Sequence, residues 1–168
     1  MKNSRLALAG IALLTLLVIA LAVLARNDER AIRQRLSALA STASVDPKQS
    51  VLLRQVQSGS LRDCFTWDVV LTTHDANANG ATLRGRAELM DYIMAGRAAL
   101  REASFRFTRL QIEVDRDRTT AIVRSLLEAD LNDEPNSMRN ELKLVFQKHD
   151  GAWAISEIDS ATLPRATR

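Results

Sequence analysis

Few side chains in this 168-residue sequence have the chemistry to act on another molecule. There is one cysteine, Cys64, one tyrosine, Tyr92, and two histidines, His74 and His149. A lone cysteine excludes a disulfide framework, a cysteine-based zinc site and a CxxC redox centre. The histidines stand 75 positions apart, so no metal-ligand spacing is present and neither a metal nor a cofactor is expected. Cys64 is flanked by Asp63, an acidic neighbour that raises a thiol pKa and makes a poor nucleophile. No Gly-rich phosphate loop, HExxH or GxSxG occurs, which removes support for nucleotide and hydrolase readings. Two further groups, the carboxylate of Asp68 and the phenol of Tyr92, come into question only through the family resemblance of the segments that carry them. In an apolar pocket such a pair suits proton transfer, one group as base and the other as acid or oxyanion donor. Each has a plainer reading as well. A short acidic side chain beside a turn caps it or pairs locally, here with Arg62 or Arg84, and a helix tyrosine packs in a core with its hydroxyl satisfied. His74, before an Asn-Gly turn, and His149, in a hairpin, are not placed like general bases.

The elements that must hold these groups follow from periodicity. Ile32, Leu36 and Leu39 form one apolar stripe at i, i+4 and i+7, predicting a helix over Asn27–Ala43. That stripe either packs on the domain core or lies on a lipid surface. Pro47 ends the helix, and Gln49–Val56 predicts a second, shorter one closing near Gly59. Trp67–Thr73 is strand-like from its β-branched residues. Asn77–Gly80 is a turn signal, and a third helix opens at Arg84–Leu89 and runs to about Glu102. From there the pattern is sheet. Phe105 and Phe107 alternate in one phase and Leu110, Ile112 and Val114 in another, which predicts a bulge or bend between them. Asp115–Arg118 turns the chain into a strand over Thr119–Leu131. Another strand covers Met138–Lys148, Asp150-Gly151 is a tight hairpin signal, and Trp153 with Ile155 begins the last strand. Helices first, then a meander of four long antiparallel strands, is an α+β order. On the central strand Arg124 and Glu128 share a face with Leu126. They predict either a cross-strand charge lattice on the outer surface or an interface for a homodimer through that face.

Charge and hydropathy are unevenly spread. The net charge is +3, yet residues 36–163 hold 15 basic and 18 acidic side chains, so the basic excess belongs to the flanks. A nucleic-acid surface wants clustered basic residues, and nucleic acid is excluded as a partner on that ground. Leu6–Ala25 runs 20 residues without a charge, which as a helix spans roughly 30 Å, the thickness of a bilayer core. The alternative is a cleaved secretory signal, with Lys2 and Arg5 in front and Val23-Leu24-Ala25 as the cleavage site. Signal-peptide apolar regions are about 7–15 residues long, so the length favours an uncleaved anchor. Arginines follow the tract at 26, 30, 33 and 35, but a long following domain translocates largely regardless of charge. The expectation is a single-pass membrane protein whose domain is extracytoplasmic, periplasmic in a bacterium. The domain division is 1–26 anchor, 27–163 folded domain and 164–168 basic tail.

Three segments in this order resemble a nuclear transport factor 2-like domain of the SnoaL-like kind. They are Phe65-Thr66-Trp67-Asp68-Val69-Val70-Leu71, the helix start Gly85-Arg86-Ala87-Glu88-Leu89, and the ending Phe146–Ile155 with Asp150-Gly151-Ala152-Trp153 as the "DGxW" hairpin. The resemblance covers about residues 28–163. It implies a cone, with N-terminal helices packed into the concave side of a strongly curved antiparallel sheet, often around a pocket. Trp67, Tyr92, Phe105, Phe107 and Trp153 would then line that pocket. Similar domains include ketosteroid isomerases, polyketide cyclases, dehydratases and non-catalytic binders of proteins or small molecules, so the fold leaves function open. The expected function is a membrane-anchored, non-catalytic module for a small apolar ligand or a protein. The alternative is an isomerase, cyclase or dehydratase working through Asp68 and Tyr92.

Overall fold

A computed structural model of the protein describes residues 26–48, 59–74, 80–131 and 138–162. The apolar tract Leu6–Ala25, the helix expected over Gln49–Val56, most of the Asn77–Gly80 turn and the basic tail lie outside these residues. Among the described residues no helix is long and apolar enough to cross a membrane.

Helix α1 covers 26–43, and its predicted stripe is the buried one: Ile32, Leu36 and Leu39 all face the core. It stops ahead of Pro47. There Val45 exchanges two backbone hydrogen bonds with Ala103, Val45 N–H donating at 2.8 Å and Ala103 N–H at 3.0 Å. A second helical segment, α2, is described over 59–62. Strand β1 (Phe65–His74) and the short β2 (Thr82–Arg84) lead into α3 (Arg86–Ala99), followed by β3 (Ala103–Val114), β4 (Thr120–Leu131), β5 (Met138–His149) and β6 (Ala152–Thr162).

The six strands form one sheet in the order β2-β1-β6-β5-β4-β3. The meander β3 to β6 is antiparallel as its turn signals require, but β1 runs parallel to β6. The sheet is therefore mixed, which corrects the expectation of a wholly antiparallel one. A parallel neighbour needs a long crossover, and here the connection from β1 to β6 runs through α3 and three hairpins. The short strand β2, three residues long, has no alternation to announce it.

The predicted phase slip in β3 is a bulge. Pairing with β4 shifts between Thr108 and Gln111, and Arg109 between them takes φ 53°. A second shift, between Val145 and Phe146, interrupts the β5–β6 ladder. Extra residues bend and twist the strand that carries them, so both shifts add curvature to the sheet. Asp150 and Gly151 both have positive φ (50° and 80°), the backbone of a type I′ hairpin turn. The helices pack on the concave face, where Ile32, Leu36, Leu61, Leu89, Val123, Leu144, Phe146 and Ile155 make the core.

Candidate functional site

Between the helices and the concave face lies a cavity of about 540 Å³, within the range of small-molecule sites. The helices and the sheet wall it, with Leu61 contributed by α2. Leu39, Ala40 and Ala43 come from α1; Leu89, Tyr92, Ile93 and Gly96 from α3; Phe105, Phe107, Leu127 and Leu142 from the sheet. The bulge at Arg109 leaves Phe107 and Leu110 both packed on the core side, so an apolar wall continues across the bend.

The helix start that supplies the α3 wall is built from its own motif. Gly85 adopts φ 87°, ψ 150°, a region essentially closed to other residues. From there its N–H donates to Val69 O at 2.7 Å, tying the start of α3 to β1. Glu88 turns back to accept from the Arg84 N–H at 2.8 Å, satisfying a donor beside the helix N-terminus and placing a negative charge near its positive end.

The cavity surface is almost wholly apolar. Among the described lining residues no aspartate, glutamate or histidine occurs, and one cation does, Arg97. Arg97 donates to Thr42 O at 2.7 Å, tying α3 to α1. Thr73 is engaged with Ala81, its Oγ1 accepting the Ala81 N–H at 3.1 Å. Asn140, Ser160 and, at the rim, Tyr92 complete the polar lining, with Asn140 Nδ2 at 3.5 Å from Ser160 Oγ.

Of the five aromatic residues expected at the pocket, Tyr92, Phe105 and Phe107 line it. Tyr92 stands at the rim, 61% exposed. Trp67 points to solvent, 75% exposed, and Asp68 beside it is also exposed and away from the cavity. The cause is local. Pairing of β1 with β6 shifts between Phe65 and Val70, so the strand reads buried, buried, exposed, exposed, buried rather than alternating. The structure thus does not bring Asp68 and Tyr92 together.

Trp153 is buried in the core, not at the cavity, and its Nε1–H donates to Asp28 at 3.3 Å. Asp28, near the start of α1, also accepts from Lys148 Nζ at 2.7 Å and Arg118 Nε at 2.7 Å. The Lys148 ammonium lies 5.2 Å from the Trp153 ring centroid, a cation–π distance. Burial pushes the Asp28 carboxyl up, but the hydrogen bonds from Lys148, Arg118 and Trp153 outweigh it, so its pKa is lowered. This cluster was not singled out from the sequence. The available signal was the tryptophan of the "DGxW" hairpin, whose indole N–H needs a partner once buried.

The remaining candidates are elsewhere. His74 pairs with Asp159 at 2.8 Å on the exposed surface, and His149 Nε2 lies 3.3 Å from Gln147 Oε1. Arg124 meets Glu113 at 3.1 Å and Glu128 meets Arg139 at 3.8 Å, so both join cross-strand pairs on the outer face. The Cys64 thiol is buried and its Sγ–H donates to Ser60 O. Burial pushes its pKa up, with Asp63 adding to the rise and Arg35 opposing it. Among the described residues no cluster of histidine, cysteine and carboxylate could hold a metal ion.

Helices on the concave face of a curved mixed sheet, enclosing an apolar cavity, define the cystatin-like cone of nuclear transport factor 2-like proteins. The chain belongs to the SnoaL-like domain family, whose model matches residues 56–162. Among solved structures it is similar to a nuclear transport factor 2-like protein with a cystatin-like fold from Novosphingobium aromaticivorans. That match has 16% identity and TM-score 0.66, and covers 86% of this chain and 88% of that one. A candidate scytalone dehydratase from the same organism is similar at 19% identity and TM-score 0.63, covering 81% of this chain and 84% of that one. A candidate ketosteroid isomerase from Parabacteroides distasonis is similar at 20% identity and TM-score 0.53, covering 79% and 84%. No curated protein matches the sequence.

Proposed function

We propose that the protein is a binding module for a neutral, largely apolar small molecule, held in the cone cavity and anchored to a membrane through residues 6–25. The observation that carries this reading is the lining. A cavity of about 540 Å³ walled by leucine, isoleucine, phenylalanine and alanine favours apolar surface at roughly 25 cal/mol per Å² removed from water. It offers no described carboxylate or histidine to act as a general base.

Catalysis of the isomerase, cyclase or dehydratase type is the second reading. Tyr92 at the rim favours it, as do the names of two similar structures. Asp68, the base that reading needs, stands outside the cavity, and the binding reading is preferred for that reason.

The test is the thermal unfolding of the full chain in lipid nanodiscs with and without decalin, a neutral saturated bicycle. Decalin is expected to raise the midpoint, since a ligand of the folded state stabilises by mass action. Gly96 lines the cavity, and a Cβ added there meets no atom of the neighbouring elements within 4 Å. Gly96→Phe is therefore expected to fold, to fill the space and to abolish the decalin response. A wild-type chain that does not respond, or a G96F chain that responds equally, overturns the proposal.

A further inference from the structure

The walls of the cavity are not equally fixed, and the second half of α3 is the least anchored of them. The start of α3 is pinned to β1. The Gly85 N–H donates to Val69 O at 2.7 Å, the Arg86 guanidinium donates to Phe65 O at 3.3 Å, and Leu89 is buried. The chain is pinned again at Ala103, which is buried and exchanges two backbone hydrogen bonds with Val45. Between these pins, from Met90 to Glu102, no residue is buried. Tyr92, Ile93, Gly96 and Leu100 face the cavity instead of a filled core. On the sheet α3 packs chiefly against β1 and β2, the strands that flank its start.

A segment with few buried apolar contacts opens at low cost while the rest of the fold stays closed. Gly96 lowers that cost further, because glycine weakens a helix interior. Packing does not demand it: a Cβ there meets no atom of the neighbouring elements within 4 Å. Against opening stands Arg97, whose Nη1–H donates to Thr42 O at 2.7 Å. Thr42 lies in the last turn of α1, where carbonyls lack intrahelical partners and the helix end is negative. A guanidinium suits that position, and it joins the two helical walls of the cavity.

We infer that residues 90–102 are a strap over the cavity, which lifts between Leu89 and Ala103 to let a ligand pass. The Arg97–Thr42 bond is its latch and Gly96 its weak point. The inference rests on the apolar-ligand reading of the same cavity and adds the route of entry. A bound molecule supplies contacts that Ile93, Gly96 and Leu100 lack over an empty cavity, so occupancy favours the closed strap. The latch itself is made whether the cavity is empty or filled. It therefore governs how fast a ligand crosses more than how tightly it is held.

The experiment uses the full chain in lipid nanodiscs with 2-fluoronaphthalene, a small neutral apolar probe that carries a fluorine resonance. Fluorine exchange spectroscopy gives the rate at which the probe leaves the protein, which partition into lipid does not alter. Arg97→Met is expected to raise that rate about tenfold and to leave the bound fraction within about twofold. Arg97→Lys keeps a donor and is expected to raise the rate less. Gly96→Ala stiffens the helix and is expected to lower it about threefold. Hydrogen exchange without the probe gives an independent reading. Amides of residues 92–99 are expected to exchange faster than those of β4 and β5, and about tenfold faster again in R97M. A release rate or an exchange rate that R97M leaves unchanged overturns the strap and leaves the apolar-ligand reading standing. So does a bound fraction that falls in step with faster release. A wild-type chain with no bound resonance overturns the apolar-ligand reading, and hydrogen exchange in R97M then decides the strap alone.

Discussion

Asp28 holds two cations and an indole N–H on one carboxylate with 4% of its surface exposed. Removing the charge leaves Arg118 and Lys148 facing each other across a neutral group. Breaking a fully buried pair costs about 3–5 kcal/mol. The two cations here keep about a quarter of their surface in water, so Asp28→Asn is expected to lower unfolding free energy by about 2–3 kcal/mol, measured by denaturant titration. The sign of the pH effect follows from the lowered pKa. The contribution of Asp28 is complete above the unfolded carboxyl value near 3.8 and is lost as pH falls through the lower folded value. Wild-type stability should therefore fall below pH 4 more steeply than that of D28N. Equal acid slopes in the two proteins would show that the cluster is not what acid removes. None of this was legible in the chain Asn27-Asp28-Glu29-Arg30, which reads as an ordinary charged helix start. Its partners lie 90 to 125 positions away, and no local pattern encodes such a distance.

The element scale shows what local patterns do encode. The α1 stripe, the β3 phase slip and the Asp150-Gly151 turn were all readable, because each is a relation between residues within one or two turns of chain. The parallel β1–β6 pairing and the strand β2 were not, since they depend on where the chain returns. Trp67 and Asp68 misled for a related reason: a period-two reading of β1 assumes no slip, and the slip lies between Phe65 and Val70. Gly85 makes a local prediction that can be checked. Its φ and ψ are essentially glycine-only, while an added Cβ would come no nearer than 3.8 Å to Trp67 O. Gly85→Ala is therefore expected to cost about 1–3 kcal/mol through backbone conformation rather than through a clash. Circular dichroism melts of the variant would check it, and an unchanged midpoint would refute the account of the motif.

For the molecule as a whole, composition bounded the answer without locating the site. A cavity arises from the gap between elements, so its existence could be expected only through the family resemblance. Its polar residues Asn140 and Ser160 were invisible because they stand in strands where inward and outward polar residues look alike in one sequence. The proposed anchor is tested on the whole molecule too. The full chain is expected to stay in the membrane pellet after carbonate extraction, and a protease added outside the cell or spheroplast is expected to digest the domain. Recovery in the carbonate supernatant would remove the anchor, and protection from the protease would reverse its orientation.

The Asp28 cluster bears on how the domain is carried. It lies three residues beyond Ala25, so there is less than one helical turn of slack between the apolar tract and a fixed point of the fold. The cavity begins at Leu39 and Ala43 on the same helix, roughly 16–22 Å further along at 1.5 Å per residue. A domain on a loose leash would sample every heading. Were residues 6–25 held in a membrane as proposed, α1 would stand between that point and the cavity as a strut rather than a tether. In that case a donor or acceptor of any ligand would have to approach at that height.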